Sequence, residues 1–406
     1  MYVQRTCEEK VTKYLHSREI IALVGPRQCG KTTLLRHIFD RLQNAVYLDF
    51  EERENLELFE EDIDSFIQLH VKNRDFLFID EFQYAREGGK KLKYIFDHQK
   101  IKIIISGSSS SELTIKSPQY LVGRVFIFQL YPFSFEEFLR YRNEQLLNEL
   151  YYNPSHSGPI IKKFNSYLDD FLLFGGYPRV VLADDNEEKQ LVLKNIYDTY
   201  FLKEIKTIFH LASDFKLARI LSALALQVGG LVNYNELSAL VGMNYQDLLK
   251  HLNVLQKTFI TIASRPFFTN KRTELVKSPK IFFIDNGLRN AIIKNFQPPK
   301  MRTDSGSLRE NFAASELIKK DIELRYWRSK SKAEVDFIVE QKGTVIPIEI
   351  KSAMLKPQIP KSFASFITKY QPEMACIACK ALFADKLVEK TRIHWTPLYH
   401  VPVIVN

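Results

Sequence analysis

"REIIALVGPRQCGKTTLLRHIFDRL", residues 18–42, decides how the first third of this chain folds. Gly25, Gly30, Lys31 and Thr32 fit the pattern G-x-x-x-x-G-K-[ST]. Ile20–Val24 before it reads as a buried strand, and Thr33–Leu42 after it as an amphipathic helix. The spacing has a chemical reason. Small residues let the backbone N–H groups of Gly25, Pro26, Arg27, Gln28, Cys29, Gly30, Lys31, Thr32 and Thr33, proline excepted, curl around a β-phosphate at the positive end of a helix. Lys31 then reaches the β- and γ-phosphates, and the Thr32 hydroxyl coordinates Mg²⁺. ATP and Mg are therefore the expected cofactors, on a parallel α/β sheet.

Such a loop needs an acid on a neighbouring strand tip. "DFLFIDEFQYA" (75–85) supplies Asp80, expected to hold Mg²⁺ through water, and Glu81, expected to deprotonate the attacking water. The next strand, "IKIIISGSSSSEL" (101–113), ends in Ser106, Gly107 and Ser108. A hydroxyl there, from Ser108 or Ser106, would sit between the acids and sense the γ-phosphate; the alternative is a plain serine-rich loop.

Beyond these motifs, "YLVGRVFIFQLYPFSFEEFL" (120–139) and "FGGYPRVV" (174–181) resemble the bacterial and archaeal AAA-type ATPases that carry a C-terminal DUF4143 region. The resemblance runs along almost the whole chain. It implies a role for Arg124, as an arginine finger in cis or from a neighbouring subunit, or as a structural ion-pair partner. It also makes Gly175–Pro178 similar to the G-x-P element of a STAND-type helical lid, or else a turn between helices.

Composition bounds the rest. A chain of 406 residues, 45% hydrophobic and 26% charged, reads as two to four folded domains. No run of 18 uncharged apolar residues occurs, and the N-terminus lacks a signal-peptide core, so a soluble cytoplasmic protein with no membrane contact is expected. Cys7, Cys29, Cys376 and Cys379 read as reduced thiols, since the lone C-x-x-C has no second pair to complete a zinc site. The net charge of +9 permits nucleic-acid binding without demanding it. Its distribution says more. "DFEERENLELFEEDID" (49–64) holds nine acids against one Arg, whereas residues 301–406 hold 17 Lys and Arg against 12 Asp and Glu. A polyanion would meet the C-terminal half.

Residues 211–298 read as a winged helix-turn-helix: three helical stretches, then the strands "FITIASRPFF" (259–268) and "KIFFID" (280–285). Their basic tip carries Lys271, Arg272, Lys277 and Lys280. The helix that would enter a DNA groove offers Tyr245, Gln246, Lys250, His251 and Asn253, with few cations for base reading. DNA contact and packing on the ATP domain are both open at this point.

"AEVDFIVEQKGTVIPIEIKS" (333–352) sets charges into two apolar strands. A hairpin turning through Lys342-Gly343 pairs residues whose numbers sum to 685, so Asp336 faces Glu349 and Glu334 faces Lys351. Two opposed carboxylates repel unless a cation sits between them. The pattern D-x(12)-E-x-K resembles the PD-(D/E)XK nuclease core, without the proline that commonly precedes the Asp. The resemblance implies Mg²⁺ held by Asp336 and Glu349 with an acid from a preceding helix, Glu310 or secondarily Glu316. Glu349 and Lys351 would then be catalytic. Arg325, Arg328, Lys330 and Lys332 would line a nucleic-acid groove.

The expected architecture is an α/β chain: a P-loop ATPase domain (1–150), a helical lid (151–210), the winged helix (211–298) and a nuclease-like α/β domain (299–406). The expected function is ATP hydrolysis coupled to a metal-dependent site acting on DNA. The alternative is a nucleotide-switched regulator or scaffold that uses the nuclease fold to dock a protein partner, as a monomer or an oligomer.

Overall fold

A computed structural model describes residues 2–108, 121–153, 155–199, 214–268, 274, 277–341, 343–351 and 354–405. Two compact units emerge. The first comprises Met1–Pro132 with Lys257–Phe259, and the second Phe133–Gln256 with Ile260–Asn406. The boundary expected at residue 150 therefore falls inside the second unit. Directly after the boundary, the side chains of Ser134 and Glu137 form a reciprocal capping box for helix Phe135–Arg142. That helix starts on a carboxylate of the second unit, because Phe135 N–H donates to Glu316 Oε2 at 2.8 Å.

In the first unit, β1 (Ile20–Val24), β2 (Ala45–Asp49), β3 (Phe76–Asp80), β4 (Lys102–Gly107) and β5 (Val125–Gln129) form a parallel sheet in the order β2-β3-β4-β1-β5. β1 and β4 are buried along their whole length, as strands covered on both faces must be, and this is why they read as unbroken apolar runs. Helix α1 (Lys31–Phe39) packs Leu34, Leu35 and Ile38 against Ile21, Leu23, Phe78 and Ile104. Each such fully buried side chain contributes roughly 1.5–3 kcal/mol. The helix begins two residues earlier than its apolar pattern suggests, because Gly30 takes φ +100° and turns the loop directly into it.

The second unit carries a mixed eight-stranded sheet, in the order β12-β13-β11-β10-β9-β8-β6-β7. Its strands are β6 (Thr261–Pro266), β7 (Lys280–Phe283), β8 (Arg325–Arg328), β9 (Glu334–Gln341), β10 (Thr344–Ile350), β11 (Met374–Cys379), β12 (Ala384–Val388) and β13 (Thr391–Pro397). Helices α2 (Asp214–Leu226), α3 (Tyr234–Val241) and α4 (Tyr245–Lys257) precede the β6–β7 hairpin. That hairpin is not a free wing. β6 pairs in parallel with β8 at Arg265↔Arg325 and Pro266↔Tyr326, so the pair forms one edge of the C-terminal sheet. Segments 211–298 and 299–406 thus share one sheet.

Helix α5 (Ser305–Lys319) precedes β8, and helix α6 (Lys361–Tyr370) connects β10 to its parallel partner β11. β9 and β10 pair in the register read from the sequence, from Thr344↔Gln341 to Ile348↔Phe337. Gly343 has φ +82° at the turn, while Lys342 lies outside the described residues. The glycines of the G-G-Y-P stretch serve a close approach. A Cβ on Gly175 would stand 2.1 Å from Asp285 Oδ1, and Gly176 N–H donates to the same carboxylate at 2.7 Å. Among the described residues, no helix is long and apolar enough to cross a membrane.

Candidate functional site

The phosphate-type loop leaves the C-terminal end of β1 in a shape fixed by its neighbours. A Cβ on Gly25 would lie 1.9 Å from the Leu130 carbonyl oxygen, so glycine alone fits. The buried Arg5 donates to the carbonyls of Cys29, at 2.8 Å, and Tyr131, at 2.6 Å. Cys29 is buried and points its thiol at the Leu130 carbonyl, 3.3 Å away; burial pushes that thiol's pKa up, so it is inert packing. Arg27 donates to the Tyr84 hydroxyl at 2.8 Å. Gln28 takes φ +60°. Lys31, 4% exposed, donates to the carbonyls of Gly25 and Pro26, each at 3.2 Å. Its ammonium therefore rests on the loop itself, where a phosphate would take it over. Thr32 is half-buried and Thr33 exposed at the start of the helix.

Asp80 ends β3, fully buried. The sequence places it on a strand next to β1, but β4 lies between them, which brings Ser106 to the centre. The Ser106 hydroxyl donates to Asp80 Oδ1 and accepts from Glu81 N–H at 3.1 Å. The Tyr47 hydroxyl donates to Asp80 Oδ2 at 2.6 Å, and Glu81 N–H also reaches Oδ1 at 3.1 Å. Glu81 holds the left-handed conformation, φ +53°, which costs a glutamate about 1–3 kcal/mol and aims its side chain away from the strand. Gln83 donates to Glu81 Oε2 and accepts from Ser108 N–H at 3.3 Å. Ser106 is thus the hydroxyl that touches the acid, while the Ser108 hydroxyl is buried with no partner among the described residues.

Tyr47 and Arg5 do not stand out in the sequence, because each acts on a residue distant in the chain, and Gln83 reads there only as a polar residue after the acid pair. Tyr47 is visible only as one polar tip in the apolar strand "AVYLD". Replacing it tests its role. Tyr47→Phe removes one donor from Asp80, and the Mg²⁺ concentration for half-maximal ATP turnover is expected to rise about 3- to 10-fold. An unchanged Mg²⁺ dependence would show that the bond does not position the carboxylate.

Of the roles expected for Arg124, the finger in cis does not fit the strand direction. This residue precedes β5, which runs parallel to β1 with Ile20↔Val125 and Val24↔Gln129 in register. Arg124 therefore lies at the N-terminal end of the sheet, roughly 16 Å of strand from the loop. Its Nε pairs with Asp97 Oδ1 at 3.2 Å. Strand direction excludes a finger in cis, and the contact seen is the ion pair; a finger supplied to a neighbouring subunit stays a proposal.

The second unit gathers carboxylates where β9 and β10 meet α5. Asp336 and Glu349 are buried; Asp336 Oδ2 accepts from Ile350 N–H at 2.8 Å. Glu349 pairs with Lys351 at 2.8 Å. Burial, with the Asp336 charge second, pushes Glu310 up to about 8 and Glu349 up to about 7, and burial also raises Asp336. Glu334 does not face Lys351 as an ion pair. It binds Lys280 at 2.5 Å and Arg328 at 3.6 Å, because β7 brings a lysine to the cluster that the hairpin alone does not reveal.

Other expectations change with burial. Lys280 is 3% exposed and inside the sheet, so it is not a phosphate-gripping tip residue. Lys271 and Arg272 lie outside the described residues, and Lys277 is exposed. Arg325 is buried and held by Glu274, Glu323 and Glu340, which withdraws it from any groove, whereas Lys330 and Lys332 are exposed. His251 is buried with Nδ1 2.7 Å from the Asp247 carbonyl, so it reads no base; Tyr245, Gln246, Lys250 and Asn253 are exposed. Glu316 lies about 240° around the helix from Glu310. It serves Phe135 N–H and Lys319 instead.

The donor set of Glu310, Asp336 and Glu349 is all carboxylate oxygen, the chemistry that Mg²⁺ or Mn²⁺ takes. Among the described residues no three His, Cys, Asp or Glu converge as metal ligands, and Glu349 is instead paired with Lys351.

Comparison with known proteins agrees with the first unit. Residues 17–139 match the family described as AAA domain, residues 165–298 a domain of unknown function (DUF8612), and residues 305–400 a domain of unknown function (DUF4143). An uncharacterized protein of Haemophilus influenzae is 26% identical over 365 residues, 86% of this chain and 85% of its own. An uncharacterized protein of Methanocaldococcus jannaschii is 24% identical over 339 residues, 79% of this chain and 72% of its own. Among solved structures, the Walker-type ATPase PABY2304 of Pyrococcus abyssi superposes with a TM-score of 0.50 at 16% identity, covering 72% of this chain and 96% of that one. The chain thus combines an AAA-type P-loop domain with a DUF4143 region.

Proposed function

We propose that this chain binds and hydrolyses ATP in its first unit, and that its second unit carries a divalent-metal-dependent phosphodiesterase site acting on DNA. The observation that carries the first part is the arrangement of Asp80, Ser106 and Glu81 at the ends of adjacent strands beside a preformed phosphate loop. Lys31 would hold the β- and γ-phosphates, leaving its two loop carbonyls. Thr32 and Asp80 would hold Mg²⁺, which neutralises phosphate charge. Glu81 takes the proton of the attacking water, and Gln83 fixes the Glu81 carboxylate.

What supports the second part is the succession of α5, β8, β9, β10, α6 and β11, with Glu310, Asp336, Glu349 and Lys351 electrostatically joined on it. The helix with Glu310 precedes the strands with Asp336 and Glu349, as the nuclease resemblance implies. The three acids would hold a divalent cation, which lowers the pKa of a bound water. Lys351 offsets negative charge developing on the phosphate. DNA as substrate rests on the net charge of +9, the exposed Tyr245, Gln246, Lys250 and Asn253 on a helix of winged-helix order, and the exposed Lys277, Lys330 and Lys332.

A second reading has its own observation. Glu334 and Glu349 are held in ion pairs, and among the described residues no three acids converge as ligands, which favours a region that docks a partner and cleaves nothing. Phosphate release from ATP with Mg²⁺, measured on the full chain and on Lys31→Ala, tests the ATPase reading. Turnover in the wild type that disappears in the variant supports it. Absence of turnover, or equal turnover in both, overturns it.

A further inference from the structure

The phosphate-type loop carries a second cation besides Lys31. Arg27 stands directly after the Gly25 and Pro26 carbonyls that hold the Lys31 ammonium, each at 3.2 Å. The Arg27 side chain is half-buried, and its Nη2 donates to the Tyr84 hydroxyl at 2.8 Å. The loop follows β1, whereas Tyr84 closes the single turn Phe82–Tyr84 that follows β3 and Glu81. β4 lies between those two strands. The contact therefore bridges two strand spacings, roughly 10 Å, across the end of the strand that carries Ser106.

The bond has a direction. The Tyr84 hydroxyl donates its one proton toward Glu51 Oε1, 3.4 Å away, and so turns its lone pairs to the guanidinium. Glu51 follows β2, so groups from the turns after β1, β2 and β3 meet at one end of the sheet. Asp80, Glu81 and Ser106 are gathered at that same end. The guanidinium is thus held between the loop that would cradle the phosphates and the turn that bears the proposed base.

A γ-phosphate on the loop would project toward the water that Glu81 activates, into the space this side chain crosses. A guanidinium has five N–H donors in a planar fork, so it can keep Tyr84 and bind a phosphate oxygen at once. Charge spreads over the γ-phosphate oxygens as the bond to the leaving β-phosphate oxygen breaks. A cation fixed beside them stabilises that transition state more than the bound substrate. Arg124 cannot supply the charge in cis, because it lies at the opposite end of the sheet.

We propose that Arg27 is the cation that meets the γ-phosphate in cis during ATP hydrolysis, and that Tyr84 is the positioning residue that holds it there. This role rests on the reading of the first unit as an ATPase, and it falls to a loop position that the G-x-x-x-x-G-K-[ST] pattern leaves open. An arginine that only shaped the loop would alter ATP and ADP binding alike. One that meets the γ-phosphate acts on ATP and its hydrolysis alone.

Single-turnover ATP hydrolysis by the full chain with Mg²⁺, beside equilibrium binding of ADP, tests the assignment. Arg27→Ala should hydrolyse ATP at least about 10²-fold more slowly while binding ADP within about twofold of the wild type. Tyr84→Phe should lose about 3- to 10-fold in rate, and nothing further in the Arg27→Ala background, since it acts through Arg27. If circular dichroism shows Arg27→Ala to be misfolded, Arg27→Gln takes its place with the same expectation. A wild-type rate in the folded variant, or a loss of ADP binding as large as the loss in rate, overturns the inference. A Tyr84→Phe loss that persists at full size in the Arg27→Ala background overturns the positioning role. In either case, turnover that still disappears in Lys31→Ala leaves the ATPase reading standing. Absence of turnover in the wild type overturns both.

Discussion

Glu81→Gln will bind ATP as the wild type does and hydrolyse it about 10²- to 10⁴-fold more slowly. The substitution keeps shape and the contact with Gln83 while removing the proton acceptor. Lys31, Asp80 and the loop remain in place, so the ground-state complex should persist. The effect is large because the variant keeps the bound complex and loses the group proposed to accept the proton of the attacking water. Glu81 stands at φ +53°, next to the Gln83 amide that holds its carboxylate. Single-turnover hydrolysis and equilibrium binding of a fluorescent ATP analogue separate the two effects. Full turnover in Glu81→Gln would assign the general base elsewhere.

Glu349→Ala will abolish divalent-dependent cleavage of DNA, a loss of at least about 10³-fold. Glu349 is 2% exposed, and two neighbours are arranged around it: Asp336, whose N–H lies 3.4 Å from Glu349 Oε2, and Lys351, whose ammonium lies 2.8 Å from Oε1. Removing the carboxylate takes away a proposed metal ligand and the ion-pair partner of Lys351. ATP turnover should be unaffected, since Glu349 and the phosphate-type loop lie in separate units. Cleavage that survives in Glu349→Ala would come from another site or another protein.

Much of this was legible because it is local. The register of β9 and β10 follows from a two-residue turn and a period of two, and the sheet pairs as that arithmetic requires. The strand, loop and helix around Gly25–Thr32 were legible for the same reason: each element borders the next. What the sequence hid is long-range. Tyr47 meets Asp80 across 33 residues, and Arg5 meets Tyr131 across 126. Lys280 meets Glu334 only because β6 joins the edge of β8 over two residue pairs, a contact no hydrophobic period announces. The role of Arg124 stayed open in the sequence because motif logic carries no strand direction, and Glu316 stayed a second choice behind Glu310 until the helix faces were assigned. The first unit ends at Pro132 rather than at residue 150, and the contact behind this is again distant in the chain, Phe135 N–H to Glu316 across 181 residues.

The most direct measurement is cleavage of single- and double-stranded DNA by the full chain with Mg²⁺ or Mn²⁺, with and without ATP, comparing wild type, Lys31→Ala and Glu349→Ala. The account predicts cleavage by the wild type, none by Glu349→Ala, and loss of any ATP response in Lys31→Ala. Intact ATP hydrolysis with no cleavage of either DNA form would contradict it, and would make the second unit a docking region under nucleotide control.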